Sequence, residues 1–136
     1  MSRGTSAEPP EHLRRGQRGE QLAAAYLEEQ GWEIEATNFE TDFGEVDIIA
    51  RRPVDGGMLL AFVEVKARSS PGTMTPELAV TAQKRRTITR VARFYDERYG
   101  RARCGYRFDV IGIDMSTSPP EIKHFDGAFD ASGNPY

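Results

Sequence analysis

Residues 44–68, GEVDIIARRPVDGGMLLAFVEVKAR, constrain the fold more than any other part of the chain. Two apolar runs, 46–50 and 58–67, read as strands, and 51–57, with Pro53 and the Gly56-Gly57 pair, reads as the loop between them. So short a connection favours antiparallel pairing. Side chains two apart in a strand share a face, so Glu64 and Lys66 point one way while Val63 and Val65 enter the opposite layer. Asp47 comes alongside Glu64 in such a hairpin. Two carboxylates and one ammonium then meet on one patch.

The rest of the chain supplies layers for this hairpin. Leu22, Ala23, Tyr26 and Leu27 recur at helical spacing and Gly31 stands where a C-terminal glycine cap belongs, which predicts a helix over 15–30. Residues 32–38 alternate as a half-buried strand, with Trp32, Ile34 and Ala36 on one side, and 38–44 reads as a turn. After a breaker cluster at 69–75, a second helix is predicted to begin near residue 76 or 81 and to run to 99, with Val80, Ile88, Val91, Ala92, Phe94 and Tyr95 as its stripe. Strands follow at 107–113 and 121–125, and a crossover helix before the first of them allows parallel pairing. The expected fold is α/β, a central mixed sheet flanked by helices. Residues 1–12 are expected to be a flexible arm, 13–129 one domain and 130–136 a loose tail.

A chain of 136 residues, 38% of them hydrophobic, suffices for one domain burying roughly two thirds of its unfolded surface. Its apolar runs are far shorter than the roughly 20 residues that cross a bilayer, and no signal-peptide core follows the basic N-terminal residues, so no membrane partner and a cytoplasmic location are expected. Cys104 is the only cysteine, and with His12 and His124 it offers no zinc spacing. The net charge of −3 conceals a basic segment in which Lys84, Arg85, Arg86, Arg90, Arg93, Arg98, Arg101, Arg103 and Arg107 face only Asp96 and Glu97. Arg86, Arg90 and Arg93 stand at i, i+4 and i+7, the spacing of a phosphate-tracking stripe or of an ordinary solvated helix face. Arg14, Arg15 and Arg18 sit at the start of the first helix, where they oppose its dipole and suit an external anion better than helix stability.

Acids on central strands need partners, because a buried ionised carboxylate loses several kcal/mol of solvation. Lys66 neutralises one of them, and a purely structural ion pair is the plain alternative. It leaves a surplus, since Asp47, Glu64 and Glu20 from the first helix face a single lysine. An oxygen-seeking divalent cation, Mg²⁺ or Mn²⁺, resolves the surplus, held by Asp47, one oxygen of Glu64, the Val65 backbone carbonyl and water, with Glu20 completing or biasing the shell. Phosphodiester hydrolysis becomes sensible at such a site, and Lys66 can orient the attacking water or contact the scissile phosphate.

The order Arg18-Gly19-Glu20, then Gly44-Glu45-Val46-Asp47, then Glu64-Val65-Lys66, then a basic helix resembles the D…ExK signature of the PD-(D/E)xK nucleases. From about residue 14 to 129 the chain resembles the YraN family of predicted bacterial endonucleases, similar in fold to archaeal Holliday-junction resolvases and restriction enzymes. The resemblance implies a restriction-endonuclease-like α-β-β-β-α-β(-β) core. It implies Asp47 and Glu64 as metal ligands, Lys66 as the catalytic lysine and Glu20 as the helix-borne acid. Gln83 and Lys84 match positions near the active site or the DNA, and Val46 replaces the motif's proline. The expected activity is metal-dependent endonucleolytic cleavage, with DNA favoured over RNA, branched or structured DNA included. The alternatives are a nucleic-acid-binding domain of the same fold without cleavage and a partner-binding protein with a structural ion-pair cluster. A homodimer would suit a two-fold symmetric substrate such as a junction.

Overall fold

The computed structural model describes residues 11–70, 75–100 and 104–135. Residues 1–10 of the expected arm, the middle of the 69–75 breaker, and Arg101 and Arg103 lie outside the described residues. The elements run α1 (Glu11–Glu29), β1 (Glu33–Thr41), β2 (Gly44–Val54), β3 (Gly57–Arg68), α2 (Pro76–Ala79), α3 (Ala82–Tyr99), β4 (Cys104–Asp114) and β5 (Glu121–Phe129). They form one five-stranded sheet in the order β1-β2-β3-β4-β5. Only β3 and β4 pair in parallel, because the α2–α3 crossover lies between them, and the other neighbours are antiparallel. The expected α/β architecture is therefore present, with the sheet covered on both faces.

Strand alternation sorts the core into two layers. Ile48, Ala50, Ala61, Val63, Ile111 and Ile113 face α1, which contributes Ala23 and Leu27. Leu60, Phe62, Phe108 and Val110 face α3, which contributes Ile88, Val91 and Tyr95. Each fully buried Leu, Ile or Phe in these layers contributes about 1.5–3 kcal/mol, so the layers fix where the strand ends fall.

The boundaries differ from the sequence reading in ways that local chemistry explains. The first helix starts at Glu11 rather than residue 15. It closes in a Schellman arrangement: the Gly31 amide donates to Glu28 O at 3.1 Å, the Trp32 amide to Leu27 O at 2.9 Å, and Gly31 has φ 95°. Trp32 thus belongs to the helix cap, buried in the α1 layer, and not to the strand. The Ile34/Ala36 alternation is broken by a bulge between those residues, which sends Ile34 to the α1 layer and Ala36 to the α3 layer.

The expected loop over 51–57 shrinks to Asp55 and Gly56, because Val54 pairs with Gly57 and Pro53 with Met58. An Asp-Gly pair is the strongest short hairpin signal, and the proline had masked it. The turn at 38–44 likewise contracts to Asp42 and Phe43, with Thr41 paired to Gly44. The second helix is two: α2 ends at Ala79, capped by Val80, and α3 restarts behind Thr81, whose hydroxyl accepts the Lys84 amide at 3.1 Å. At the C-terminus β5 runs past the expected 121–125 to a buried Phe129. The following turn is closed by Asp130, which accepts the Ser132 and Asn134 amides, and Arg85 donates to Gly133 O at 2.8 Å.

Candidate active site

The pairing of β2 with β3 ends at Ile48 and Val63, and beyond it β2 keeps only β1 as a neighbour. The sheet forks there. Asp47 fills the fork, its Oδ2 accepting the Val65 amide at 2.8 Å. Below it, Glu64 and Lys66 follow Leu60 and Phe62 on the α3 side of β3, while Val63 and Val65 join the α1 layer, as strand alternation requires.

Helix α1 reaches the fork through Gly19. A Cβ on that residue would lie 2.7 Å from the Ala67 Cβ, so only glycine lets the helix lie this close to β3. The next residue, Glu20, then hangs over the fork. Gly44 permits a second close approach, since with φ 148° and no side chain it admits Thr87 of α3, and Lys84 follows one turn earlier. Together Gly16, Glu20, Glu45, Asp47, Glu64, Val65, Lys66, Ala67 and Lys84 enclose a pocket of about 280 Å³. The three acids and the lysine picked out from the sequence are therefore gathered at one place, with Lys84 beside them.

Sequence reasoning missed two residues there. Glu45 lies two positions before Asp47, within the quoted Gly-Glu-x-Asp run, and that spacing was the available signal. Asn38 hydrogen-bonds Glu20 from a backbone with φ 51°, the left-handed region that asparagine tolerates. It had read as the junction between a strand and a turn.

The electrostatics are those of crowded acids. Glu64 is 5% exposed and Asp47 7%. Burial first, then the neighbouring Asp47 charge, pushes the Glu64 carboxyl up to about 8, against the pull of Lys84 and Lys66. Glu20 and Glu45 are also raised, each chiefly by burial and then by Asp47. The two lysines stand off: Lys66 Nζ is 3.8 Å from Glu64 Oε2 and Lys84 Nζ is 3.9 Å from Oε1. Both separations exceed hydrogen-bonding distance, and Oε1 is left buried without a hydrogen-bond partner. A buried, unsatisfied carboxylate oxygen is costly, and it marks the place where a cationic ligand or a proton is wanted. Among the described residues no three acidic, imidazole or thiol groups close on one point as a complete metal cage. Asp47, Glu64 and the Val65 carbonyl offer oxygen donors, the ligand type that hard divalent cations take.

The basic residues surround this pocket unevenly. Gln83, Arg86, Arg90 and Arg93 are exposed on α3, and Arg18 is exposed on α1. The three α3 arginines lean to different neighbours. The Arg90 guanidinium stacks 4.6 Å over the Phe43 ring, Arg86 packs against Gly133, and Arg93 borders a separate cavity with Asp96, Tyr106 and Phe129. Phe43, in the turn between β1 and β2, is half-buried between Phe94 and Arg90, so its ring is already engaged.

A second buried acid lies elsewhere, in the α1 layer. Asp109 accepts both arms of Arg107 at 2.9 Å, the Gly127 amide at 3.0 Å, and lies 2.7 Å from His124 Nε2, while His124 Nδ1 is 3.1 Å from the Tyr26 hydroxyl. Burial raises its carboxyl, but the hydrogen bonds from His124, Arg107 and Gly127 outweigh it and hold the group below the usual range. This acid is fully partnered and the Glu64 oxygen is not, which separates a structural cluster from a site poised for a ligand.

Comparison with known proteins gives a consistent picture. Residues 19–113 match the uncharacterised protein family UPF0102. A UPF0102 protein of Geobacter sulfurreducens is 46% identical over 116 residues, covering 85% of this chain and 88% of its own. One from Syntrophotalea carbinolica is 41% identical over 123 residues, 90% of this chain and 97% of its own. One from Koribacter versatilis is 40% identical over 126 residues, 91% and 85% respectively. The matched span takes in every acid and lysine of the pocket.

Proposed function

This chain belongs to the UPF0102 (YraN) family, predicted endonucleases of the restriction-endonuclease-like superfamily, and from that premise we propose that it hydrolyses phosphodiesters in nucleic acid with the help of Mg²⁺ or Mn²⁺. The observation that carries this reading is the unpartnered, buried Glu64 Oε1 beside Asp47, Glu20 and Lys66. Asp47, Glu64 and the Val65 carbonyl would hold the ion, with Glu20 and Glu45 lining the same pocket. When bound, it supplies a lowered pKa for its water and neutralises charge on the phosphate.

The chain's own residues do the rest. Glu64 holds its proton up to about pH 8, since burial and Asp47 raise its carboxyl, and a cation taken up there would displace that proton to solvent. Lys66, with 39% of its side chain exposed, is reachable by a phosphate and offers three donors to a non-bridging oxygen or to the attacking water. Lys84, paired loosely with Glu64, offers a second cation. The exposed arginines Arg18, Arg86 and Arg90 position the backbone without reading sequence. DNA is preferred over RNA as substrate on this reading, and the cytoplasm is where the protein acts. No helix of the described residues is long and apolar enough to cross a membrane.

The test is incubation of the purified chain with supercoiled, duplex, single-stranded and branched DNA plus Mg²⁺ or Mn²⁺. Products that depend on the metal and vanish in both Asp47→Ala and Lys66→Ala support the proposal. Nucleic-acid binding with no metal-dependent product would replace the enzyme by a binding domain of the same fold.

A further inference from the structure

A second cavity of about 230 Å³ abuts the candidate active site, and Lys66 and Ala67 line both. It lies at the carboxyl ends of the parallel strands β3 and β4, bounded by Arg68, Ile113, Asp114, α2 and the start of β5. Ligands in α/β sheets favour this location, where a crossover connection leaves a crevice beyond the strand ends. The wall is preformed. A Cβ on Gly112 would fall 2.2 Å from the Pro76 ring, so glycine lets α2 clamp directly onto β4.

The lining is of two kinds. Pro76 and Ala79 of α2, seated on Gly112, give it an apolar floor, and Lys66, Arg68 and Lys123 bring three cations to it. Asp114 and Glu121, opposite one another on β4 and β5, line the same cavity, and Asp114, near Arg68 and Lys123, is already engaged by the Ser116 amide and hydroxyl at 2.9 and 2.6 Å. A simple inorganic anion has no use for an apolar floor, and an apolar ligand has no use for three cations. A nucleotide uses both: its phosphates meet the cations and its base covers the floor. The Glu121 carboxylate accepts from an exocyclic amino group of a base.

We propose that this cavity is a subsite for one unpaired nucleotide next to the phosphodiester held at Lys66, so that the substrate is single-stranded, flapped or branched nucleic acid rather than intact duplex. The proposal rests on the nuclease reading of the neighbouring pocket. A paired base cannot enter a cavity of this kind without leaving its stack, which a duplex resists by a few kcal/mol and a free end does not.

Binding is measured on the Asp47→Ala chain, which leaves the oligonucleotides uncut, with a blunt DNA duplex, the same duplex carrying an unpaired end, and the RNA-ended equivalent. The unpaired end tightens binding by about tenfold. Ala79→Phe, which fills the floor, removes that preference while duplex affinity stays within about twofold. Lys123→Glu, at an exposed position where folding is not at risk, weakens the unpaired substrate more than the duplex. Stronger binding of the RNA end keeps the subsite and makes RNA its substrate. Equal affinity for paired and unpaired DNA, or a preference that survives both variants, overturns the proposal. If the preference holds but the unsubstituted chain cuts no substrate with either metal, the nuclease reading fails and the subsite stands; binding of no oligonucleotide sinks both.

Discussion

Asp47 Oδ2 accepts a 2.8 Å hydrogen bond from the Val65 amide across the fork where β2 leaves β3. One carboxylate thereby does two things: it closes the backbone of the fork, and its charge helps to hold the neighbouring Glu64 carboxyl above its ordinary range. An asparagine retains a carbonyl oxygen for the Val65 amide and discards the charge. Asp47→Asn is therefore expected to fold with stability within about 0.5–1 kcal/mol of the parent, and to lose any thermal shift produced by Mg²⁺ or Mn²⁺. Differential scanning fluorimetry with and without metal checks both halves. A metal shift that persists in Asp47→Asn would remove Asp47 from the ligand set.

The raised carboxyls make the metal-free protein pH-sensitive in a defined direction. Glu64 titrates near 4.5 when unfolded and about 8 when folded, so the folded state holds the proton more tightly between those values. Its contribution is complete below the lower value and is lost as pH rises through the upper one. Glu20 and Glu45, also raised, act with the same sign. Without metal, Tm is expected to fall by several degrees between about pH 5 and pH 8, each kcal/mol corresponding to roughly 3–5 °C in a domain of this size. Glu64→Gln should flatten the slope. Metal added at the alkaline end should recover the loss, because ligation replaces the proton. A Tm that rises across this window, or a slope unchanged in Glu64→Gln, would contradict the electrostatic account.

Much of this site was legible because its residues obey the two-residue period of a strand. Glu64 and Lys66 had to share a face, and the short link between β2 and β3 had to bring Asp47 near Glu64. Glu20 was readable as the acid that the first helix adds to that patch. The fork was not, because no periodicity says where two strands stop pairing. Nor was Asn38, whose left-handed backbone places its amide on Glu20. The arginines of α3 show a different limit: helical spacing put Arg86, Arg90 and Arg93 on one side, while contacts with Phe43 and Gly133, set by tertiary packing, draw them apart. The folded C-terminal turn escaped notice for the same reason, since Phe129 is held by stacking on Phe108 at 5.2 Å, a contact 21 residues distant in sequence.

The Asp109 cluster should carry stability without activity. Its carboxylate is fully buried and joined to Arg107, His124 and the Gly127 amide, so removing it strands a guanidinium and an amide at once. Asp109→Ala is expected to cost about 2–4 kcal/mol, toward the lower end for broken buried pairs because Arg107 remains partly accessible to water. Chemical denaturation reads the loss. The metal-induced shift and any cleavage per folded molecule should be unchanged, and a selective loss of either would draw Asp109 into the functional machinery.

Gly19 offers the sharpest link between packing and site. Its missing side chain sets the distance between α1 and β3, because a Cβ would stand 2.7 Å from the Ala67 Cβ, well inside van der Waals contact. Neither atom is the end of a flexible chain, so the clash moves the helix. Gly19→Ala gains helix propensity of about 1 kcal/mol and loses about 1–3 kcal/mol to overpacking, for a net destabilisation. The displaced helix also carries Glu20 away from Asp47 and Glu64. Metal affinity should therefore fall along with stability. Ala67→Gly, made in the Gly19→Ala background, vacates the contact and should restore metal binding more fully than stability, since glycine weakens the strand. Titration of Mn²⁺ into the three variants measures the coupling. Additive effects of the two substitutions on metal affinity would mean that the Gly19–Ala67 contact does not position Glu20.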